Sequence, residues 1–421
     1  MKMDLPKDLN YAAWVVEIKN HVPLPGCDNI VGTTLFGYQA IISKDTPVGT
    51  VGLFFPAESQ LSEEYCKENN LFRHSEKNND KTEKGYIEDN RRVLAMKFRG
   101  NRSDCLFMPI KSLAFTKIKL EDLKIGDTFD TLGGKEICRK YVIHTPGVQV
   151  NHQAKAKQFK RVDERYIPQN LDQDHYLRVS DKLPDNAYFI VTQKIHGTSI
   201  RIANTIVKRK LNPFEWVLGK LGVKVQQTEY DYVFGSRKVI KDVNNPNQKH
   251  FYDTDIWTTE GKKLTGLIPE NFIVYAELIG YTETGAPIQK NYTYESPVNT
   301  CDLYVYRVAF VNAMGFVVDL TFDQVVEFCK QRSLKYVPVL WRGYKKDFNV
   351  QDYLDKRFND GGAPQAVKLS HPTLPDEGVC IRIDGMTPYI TKAKSPAFLQ
   401  HETALLDKGV EDLESIESTS V

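Results

Sequence analysis

The stretch VTQKIHGTSIRIAN, residues 191–204, sets a lysine between two β-rich runs, with Gly197 following soon after it. A strand interior disfavours an unpaired ammonium, and lysine is almost never fully buried without a partner. Lys194 is therefore either an edge-strand lysine that reaches water before a glycine turn, or a functional lysine whose partners lie elsewhere in the chain. Only the rest of the sequence separates these two interpretations.

The composition indicates a globular protein with more than one domain. The chain has 421 residues, of which 41% are hydrophobic and 26% charged, enough for two or three domains with their own cores. The formal net charge is only +2, so binding of nucleic acid has to come from local basic clusters. The seven cysteines show no CxxC or zinc spacing, and no long apolar run is present. We therefore expect a soluble, reduced, cytoplasmic protein that does not enter membranes.

The first part of the chain, from Trp14 to about Thr131, consists of short β-like runs broken by glycine and proline. Short strands at this spacing predict a small barrel. The polar residues 73–92 interrupt the strands and are interpreted as a mobile loop. We predict an OB-like nucleic-acid-binding β-barrel over residues 1–145, followed by a basic linker over residues 146–170 that carries Lys155, Lys157 and Lys160.

A basic cluster in the predicted barrel indicates that the barrel binds nucleic acid. It contains Arg91, Arg92, Lys97, Arg99 and Arg102, around Phe98 and Phe107. OB barrels bind nucleic acid through basic grooves and stacking aromatic rings, so we predict contacts from Arg99 and Arg102. A charged surface above two core phenylalanines explains the same pattern, and both interpretations stay open.

Beyond the linker, β-like runs mix with helical patterns such as TFDQVVEFCKQRS at 321–333. This mixture predicts an α+β domain over residues 171–410, followed by an acidic tail over 411–421. Residues 206–224 look like an insertion, with lysines and an arginine around Phe214 and Trp216. The insertion is either an amphipathic surface helix packed on the domain or an RNA contact.

Six short motifs follow one another in the second domain: QKIHGTS (193–199), FGSRK (234–238), YAELIG (275–280), LYVYRV (303–308), DEGVCIR (376–382) and YITKAKSPAFL (389–399). Each motif is weak alone. Together, and in this order, they resemble the six nucleotidyltransferase motifs of the ATP-dependent polynucleotide ligase superfamily. The sequence looks most like RNA ligases of the bacteriophage nick-sealing type, which share KxHG where DNA ligases carry KxDG. A barrel that precedes the catalytic domain is similar to a smaller RNA ligase family with an N-terminal OB module.

The resemblance implies that Lys194 is a nucleophile that becomes attached to AMP. An attacking lysine must be neutral, and neighbouring cations and desolvation lower the pKa of an amine. Lys392 and Lys394 are two residues apart on a predicted strand, so they point to the same face. They can place positive charge beside Lys194 and hold the α-phosphate of ATP. A solvent-facing polar strand edge is the alternative for this lysine pair.

The resemblance also assigns a metal ligand and two contacts to the nucleoside. Glu377 suits a hydrated Mg²⁺ (or Mn²⁺) that has few protein ligands and completes its shell with phosphates. Glu277 is predicted to bind the ribose hydroxyls, and a carboxylate that caps a local turn is its alternative. Tyr306, and with less support Tyr304, matches the aromatic residue that stacks on the purine.

The remaining predicted contacts surround these residues. Ser236 and Arg237 resemble the Ser-Arg pair that reaches the nucleotide or the RNA end, since arginine suits a bidentate phosphate contact. Arg201 is either a similar contact or a plain exposed strand residue. Further contacts to ATP are predicted from Gln193, His196 and Gly197.

The sequence therefore predicts an ATP-dependent RNA ligase, a monomer that joins RNA 3′-OH and 5′-phosphate ends at nicks in RNA-containing duplexes. One alternative is an RNA-capping guanylyltransferase, which we disfavour because few residues follow Lys394 to form a C-terminal OB domain. The other alternative is a catalytically inactive RNA-binding homologue. It predicts no covalent adduct with a nucleotide.

Overall fold

The structure is a computed structural model that describes residues 5–143, 161–171, 173–243, 248, 252, 254–354, 367–371 and 373–409. The predicted acidic tail 411–421 lies outside the described residues. So does most of the predicted linker, including Lys155, Lys157 and Lys160.

The described N-terminal region, residues 5–143, is built mainly from short strands. Its helix is α1 (Glu63–Glu68), and its strands are β1 (Ala13–Glu17), β2 (Ile30–Leu35), β3 (Tyr38–Ser43), β4 (Val51–Pro56), β5 (Ser59–Leu61), β6 (Met96–Phe98), β7 (Asn101–Ser103), β8 (Cys105–Pro109), β9 (Thr128–Phe129), β10 (Thr131–Leu132), β11 (Lys135–Glu136) and β12 (Cys138–Lys140). The main sheet has the order β2-β3-β8-β4-β1-β9, in which β3 and β8 are parallel.

The strand pairing in this region leaves the main sheet open among the described residues. After β1 the backbone of the described chain pairs with β2 only at an isolated bridge between Val22 and Gly32, next to hydrogen bonds that involve the side chain of Asn20. Pro23 and Pro25 follow that bridge, and proline has no N–H to continue a ladder. The closed barrel predicted from the sequence is therefore not confirmed.

The polar stretch 73–92 is more structured than the mobile loop predicted for it. Asn78 is buried, and its side chain makes hydrogen bonds to the backbone N–H and C=O of Phe72, both at 2.9 Å. Ile87 forms a bridge with Phe72, and Arg92 at the end of the stretch is buried. The prediction failed because polar composition does not show that Asn78 binds the local backbone or that Arg92 finds a partner as distant in sequence as Thr403.

The C-terminal region contains two larger sheets flanked by helices. Its strands are β13 (Asp174–His175), β14 (Tyr188–Lys194), β15 (Thr198–Lys208), β16 (Thr228–Gly235), β17 (Phe272–Gly280), β18 (Cys301–Val311), β19 (Val317–Asp319), β20 (Lys335–Tyr336), β21 (Val339–Tyr344), β22 (Gly378–Ile383) and β23 (Tyr389–Lys394). Its helices are α2 (Tyr176–Val179), α3 (Pro213–Lys220), α4 (Ile256–Lys262), α5 (Phe322–Lys330), α6 (Val350–Leu354) and α7 (Pro396–Asp407). This arrangement confirms the predicted α+β class.

One short turn joins the two sheets of the C-terminal region. The first sheet has the order β13-β23-β22-β14-β21, and the second has the order β16-β15-β17-β18-β19, with β20 added beside β18. Since β14 belongs to the first sheet and β15 to the second, the chain crosses between them at residues 195–197. A side chain at Gly197 would place its Cβ 2.1 Å from the carbonyl oxygen of Leu278, so this crossing requires glycine.

Residues 161–170, the last part of the predicted linker, pack against the second sheet. Val162 and Ile167 are buried in a cluster with Ala203 and Ile273. This segment thereby brings Asn170 to the space between the two sheets, where it contacts Tyr306.

Buried polar contacts hold the N-terminal region on the C-terminal region. Tyr38 on β3 makes a 2.6 Å hydrogen bond with Nε2 of His175 on β13. Arg178 on α2 donates hydrogen bonds to the carbonyl oxygens of Leu9 and Asn10. The two regions together enclose a cleft of about 520 Å³.

Candidate active site

Lys194 is the last residue of β14, which is an interior strand. It is paired with Gly378 on β22, and Gly378 is paired in turn with Lys394 on β23. A Cβ at Gly378 would lie 2.0 Å from the carbonyl oxygen of Ala393, so only glycine permits this close approach. Lys194, Gly378 and Lys394 thus form one row across three strands. The Cα atoms of Lys194 and Lys394 lie roughly 10 Å apart, because neighbouring strands are about 4.8 Å apart. The edge-strand interpretation of Lys194 is therefore wrong.

Glu377 makes the closest contact with the amine of Lys194. Its Oε1 lies 2.6 Å from Nζ of Lys194, and its Oε2 lies 3.6 Å from Nδ1 of His196. The side chain of Glu377 is only 3% exposed. Burial alone would raise the pKa of Glu377, but the charges of Lys194, His196 and Lys394 outweigh it and lower the pKa to about 2. The carboxylate is thus held ionised inside the protein.

His196 lies behind Lys194 and packs among aromatic rings. Its ring meets Tyr292 and Phe398 edge to face, with centroid distances of 4.9 and 5.2 Å. Its backbone N–H donates to the hydroxyl of Tyr294 at 2.7 Å. The ATP contact from His196 stays a prediction, since the imidazole does not line the cavity beside Lys194.

A cavity between the two sheets opens beside Lys194. The predicted site residues that line it are Gln193, Lys194, Arg237, Glu277, Tyr306 and Lys392. Gly197 is not among them, but its N–H donates to Oε1 of Glu277 at 3.0 Å. Glu277 therefore supports the turn after β14 and faces the cavity at the same time, so its two sequence interpretations are both compatible with the structure.

Tyr306 is fixed at the cavity wall by two hydrogen bonds that involve its hydroxyl. Ser199 lies 2.8 Å from that hydroxyl, and Nδ2 of Asn170 donates to it at 3.0 Å. Burial raises the pKa of Tyr306 above its ordinary value, so the phenol stays neutral. Tyr304 is not in the cavity lining.

The amide of Gln193 makes hydrogen bonds to backbone. Its Nε2 donates to the carbonyl oxygen of Val367 at 2.9 Å, and its Oε1 accepts from the N–H of Val367 at 2.8 Å. Gln193 is buried and forms part of the cavity wall. In this structure its side chain fixes the segment at Val367.

Lys392 and Lys394 lie on an interior strand, because β23 has β22 on one side and β13 on the other. The alternative of a solvent-facing strand edge is therefore wrong. Lys392 lines both the cavity and the cleft, while Lys394 lines the cleft only. Lys194 also lines both spaces, so it lies where the cavity meets the cleft.

Arg307, in the fourth motif, and Arg201, just after the first, do not line the cavity. Arg307 forms a buried ion pair with Asp319, with Nε at 2.5 Å from Oδ1. Arg201 is 2% exposed and donates to the carbonyl oxygens of Ser236 and Ile167, at 2.9 and 2.7 Å. The interpretation of Arg201 as an exposed strand residue is therefore wrong, and its contact with the nucleotide or the RNA end stays a prediction. In this structure Arg201 supports the turn that presents Arg237.

The predicted nucleic-acid contacts fall in different places. Arg237 lines the cavity and the cleft. Ser236 is buried, and its hydroxyl accepts a hydrogen bond from the N–H of Val239. Arg99 and Arg102 lie at the β6–β7 hairpin, where Arg102 pairs with Asp104 at 2.7 Å, and neither lines the cleft.

Sequence reasoning missed the apolar wall of the cavity. This wall includes Leu171, Phe322 and Val337, and Asn170 lies beside it. None of these residues lies in one of the six motifs. A usable signal existed only for Phe322, which follows the helix-capping residue Thr321 and so begins an amphipathic helix.

The residues beside Lys194 fit a divalent cation that takes most of its ligands from elsewhere. Among the described residues, no group of three His, Cys, Asp or Glu side chains could hold a metal ion. Oε2 of Glu377 is buried and has no hydrogen-bond partner within the described residues. A single available carboxylate oxygen suits Mg²⁺ or Mn²⁺, which keep several waters and bind substrate phosphates.

Helix α3 does not pack on the domain as predicted for the amphipathic alternative. No residue of α3 is buried. Phe214 is 71% exposed, Trp216 is 53% exposed, and Leu221 just after the helix is 74% exposed. Lys220 lies over the ring of Trp216 at 4.0 Å, so the exposed aromatic surface is next to positive charge.

Comparisons with known proteins agree with this geometry. Residues 187–396 match the RNA ligase family, a range that contains all the catalytic-site residues described above except Asn170, Leu171 and Phe398. The match confirms the resemblance to ATP-dependent nucleotidyltransferases that the motifs indicated. Residues 187–396 belong to the RNA ligase family.

Solved structures of Naegleria gruberi RNA ligase have the same fold. A lysine-to-alanine mutant with ATP and Mn has a TM-score of 0.57 at 16% identity, over 94% of this chain and 99% of the other. The enzyme with PPi has a TM-score of 0.56 at 16% identity, over 93% and 98% of the two chains. At this identity the likeness shows a shared fold. No curated protein matches the sequence.

No helix in the described part of the chain has both the length and the apolar character needed to cross a membrane.

Proposed function

We propose that this RNA ligase uses ATP and a divalent cation to join an RNA 3′-OH to a 5′-phosphate at nicks in RNA-containing duplexes. The observation that carries the proposal is the position of Lys194. Its amine lies where a partly apolar cavity meets a basic cleft, and Glu377 and the row through Gly378 to Lys394 surround it. A nucleotide in the cavity and a polynucleotide in the cleft would both reach this amine.

The reaction has three phosphoryl-transfer steps. Nζ of Lys194 attacks the α-phosphorus of ATP, so a P–N bond forms, pyrophosphate leaves and the amine loses a proton. The RNA 5′-phosphate then attacks the same phosphorus and breaks the P–N bond. Finally the 3′-OH attacks the 5′-phosphate, and AMP leaves. Each step depends on positioning and on stabilising the charge of the transferred group.

The cavity residues suit a nucleoside. Tyr306, Phe322 and Val337 offer an apolar and aromatic surface on which a purine stacks, worth about 1 to 3 kcal/mol. The carboxylate of Glu277 faces the same space and can accept hydrogen bonds from ribose hydroxyls. Arg237 and Lys392, which line both spaces, supply positive charge for the α-phosphate.

The ion pair between Glu377 and Lys194 has to break before Lys194 attacks, because an ammonium paired with a carboxylate is not a nucleophile. A divalent cation bound through Glu377 would compete for that carboxylate, favour the neutral amine and neutralise charge on the phosphates. Lys392 and Lys394 remain as fixed positive charges on the neighbouring strand.

The N-terminal region is proposed to be an OB-like module, spanning residues 1–145, that binds the polynucleotide. An OB-fold is a five-stranded, partly open Greek-key barrel. The strands β1, β2, β3, β4 and β8 are consistent with it, since they form one sheet with a single parallel pair. The catalytic domain is proposed over 171–410 with a linker before it, and the enzyme is proposed to act as a monomer.

RNA supplied with a pre-adenylylated 5′ end tests this function, because it bypasses the first step. Lys194→Ala should seal this RNA but fail to seal a nick with a plain 5′-phosphate and ATP. The wild type should seal both substrates and should use ATP rather than GTP for the second. Failure of the wild type on both would support the inactive RNA-binding homologue, while a covalent GMP adduct would support the guanylyltransferase.

A further inference from the structure

Helix α7 begins two residues after Lys394, and a carboxylate on this helix contacts the ammonium of Lys394. Glu402 on α7 accepts from Nζ of Lys394 with both oxygens, at 2.8 and 3.0 Å. The side chains are 17% and 16% exposed, so water screens this pair only weakly. Because both carboxylate oxygens of Glu402 bind the ammonium of Lys394, they fix its position.

The residue after Glu402 is held by the N-terminal region. The hydroxyl of Thr403 donates to Oε1 of Glu58 at 2.6 Å and accepts from the N–H of Ala95 at 3.2 Å. The carbonyl oxygen of Thr403 accepts from Arg92 at 3.2 Å. Arg92 is buried and also pairs with Asp407 at the end of α7. We call the contacts among Glu58, Arg92, Ala95, Thr403 and Asp407 the α7 latch.

Several charged and titratable groups interact with Lys394, including Glu58 of the α7 latch and His175 on β13. Glu402 lies on α7, Tyr11 on the 3₁₀ turn Leu9–Tyr11, and Glu377 just before β22. Burial would lower the pKa of Lys394, but Glu402, Tyr11 and Glu377 raise it well above its ordinary value. Of the described residues, Glu402 is the carboxylate that forms an ion pair with Lys394.

We propose that Glu402 is a positioning residue for Lys394, and that the α7 latch sets the place of Glu402. Contact between the N-terminal region and α7 thereby prepares the ammonium of Lys394 for the α-phosphate. The inference rests on the proposed function, in which Lys394 stabilises the charge of phosphoryl transfer. Glu402 itself makes and breaks no bond.

The physical reason lies in the freedom of a lysine side chain. Its flexible four-carbon stem carries about 2 kcal/mol of rotamer entropy, which is lost when the ammonium is fixed on a phosphate. When a carboxylate already holds the ammonium, this entropy is lost on folding and not when the substrate binds. Buried polar contacts can transmit such order, and Thr403 and Arg92 are both buried. Nε of Arg92 lies 3.5 Å from Oε2 of Glu58.

The test is a double-mutant cycle on single-turnover adenylylation of full-length protein with ATP and Mg²⁺. Glu402→Gln keeps the size of the side chain and removes its charge. It should lower the rate at saturating ATP by about 10- to 100-fold, with little change in the ATP concentration for half-maximal rate. In the Lys394→Ala background, Glu402→Gln should cause no further loss, because Glu402 acts through Lys394. Losses that multiply in the double mutant would overturn the inference.

The latch is tested in the same assay. Thr403→Val should lower the rate in the wild-type background but not in the Glu402→Gln background, and Thr403→Ser, which keeps the hydroxyl, should restore it. The matched control is Glu64→Gln, which removes the carboxylate of the exposed Lys135–Glu64 pair and should leave the rate unchanged. Thermal unfolding of each variant identifies any loss that comes from unfolding.

The two proposals fail in different ways. If the wild type forms no AMP adduct on Lys194, the proposed function is wrong. If the adduct forms and Glu402→Gln has the wild-type rate, only the positioning role is wrong.

Discussion

Glu377 is a buried carboxylate that stays ionised because Lys194, His196 and Lys394 lower its pKa. The folded-state pKa of about 2 lies below the ordinary value of 4.5. A depressed carboxylate pKa contributes stability that is present above the unfolded-state pKa and is lost as the pH falls through the folded-state pKa. Stability from Glu377 should therefore fade between about pH 5 and pH 2.

Glu377→Gln tests this linkage. The variant should adenylylate Lys194 roughly 10²-fold more slowly or worse, because it loses the charged group beside the nucleophile. Its deficit in the free energy of unfolding, relative to the wild type, should be largest near neutral pH and should shrink between about pH 5 and pH 2. Urea unfolding at a series of pH values measures that deficit. A deficit that does not change with pH would contradict the assigned pKa.

The sequence was informative at the residue scale where a motif marks a side chain. Lys194, Glu277 and Lys392 line one cavity, as the ordered motifs led us to expect that they would lie close together. It was not informative where the role of a residue depends on a distant partner. The amide of Gln193 binds Val367, and Arg307 turns into the core toward Asp319, and neither partner can be read from a local pattern.

At the scale of elements, α3 differs from the amphipathic helix packed on the domain that was one interpretation of its sequence. A pattern of apolar and basic residues does not state whether the apolar side finds a partner, and here none of its residues is buried. The segment 161–170 shows the opposite case, because its polar composition suggested a linker and yet Ile167 is fully buried. Strands such as β14 and β17 were easier to predict, since their runs of buried apolar residues are continuous.

Trp216→Ala should leave the midpoint of thermal unfolding nearly unchanged, because an exposed residue without buried contacts contributes less than about 0.5 kcal/mol. If the RNA-contact interpretation of the insertion is correct, the same variant should bind a nicked RNA duplex more weakly, because a stacking surface is lost. Val48→Ala, which alters another exposed apolar residue, is the control. A clear drop in the unfolding midpoint with unchanged RNA binding would show that α3 packs on the domain after all.

At the scale of the whole molecule, the cleft between the two regions has an excess of positive charge. Its basic lining residues are Lys7, Lys140, Arg178, Lys194, Arg237, Lys238, Lys392 and Lys394, and its acidic ones are Asp8, Glu58, Asp104, Asp174 and Glu402. The net charge of the chain does not reveal this asymmetry, because the excess is local to the cleft and comes mainly from the C-terminal region.

Lys238→Ala should therefore weaken binding of nicked RNA duplexes by about the same factor for every sequence. The slope of log Kd against log salt concentration should fall by about 1, because one phosphate contact is lost. Lys262→Ala, an exposed lysine at the end of α4 outside the cleft, should change neither quantity. An equal effect of the two substitutions would mean that RNA does not lie in the cleft.

The most direct measurement is the mass of the protein, and of its peptides, after incubation with ATP and Mg²⁺. The account predicts one added AMP, carried by Lys194 and absent from the Lys194→Ala variant, since this amine is the one that lies where the cavity meets the cleft beside Glu377. An AMP on a different lysine, or no adduct from an otherwise folded protein, would contradict it.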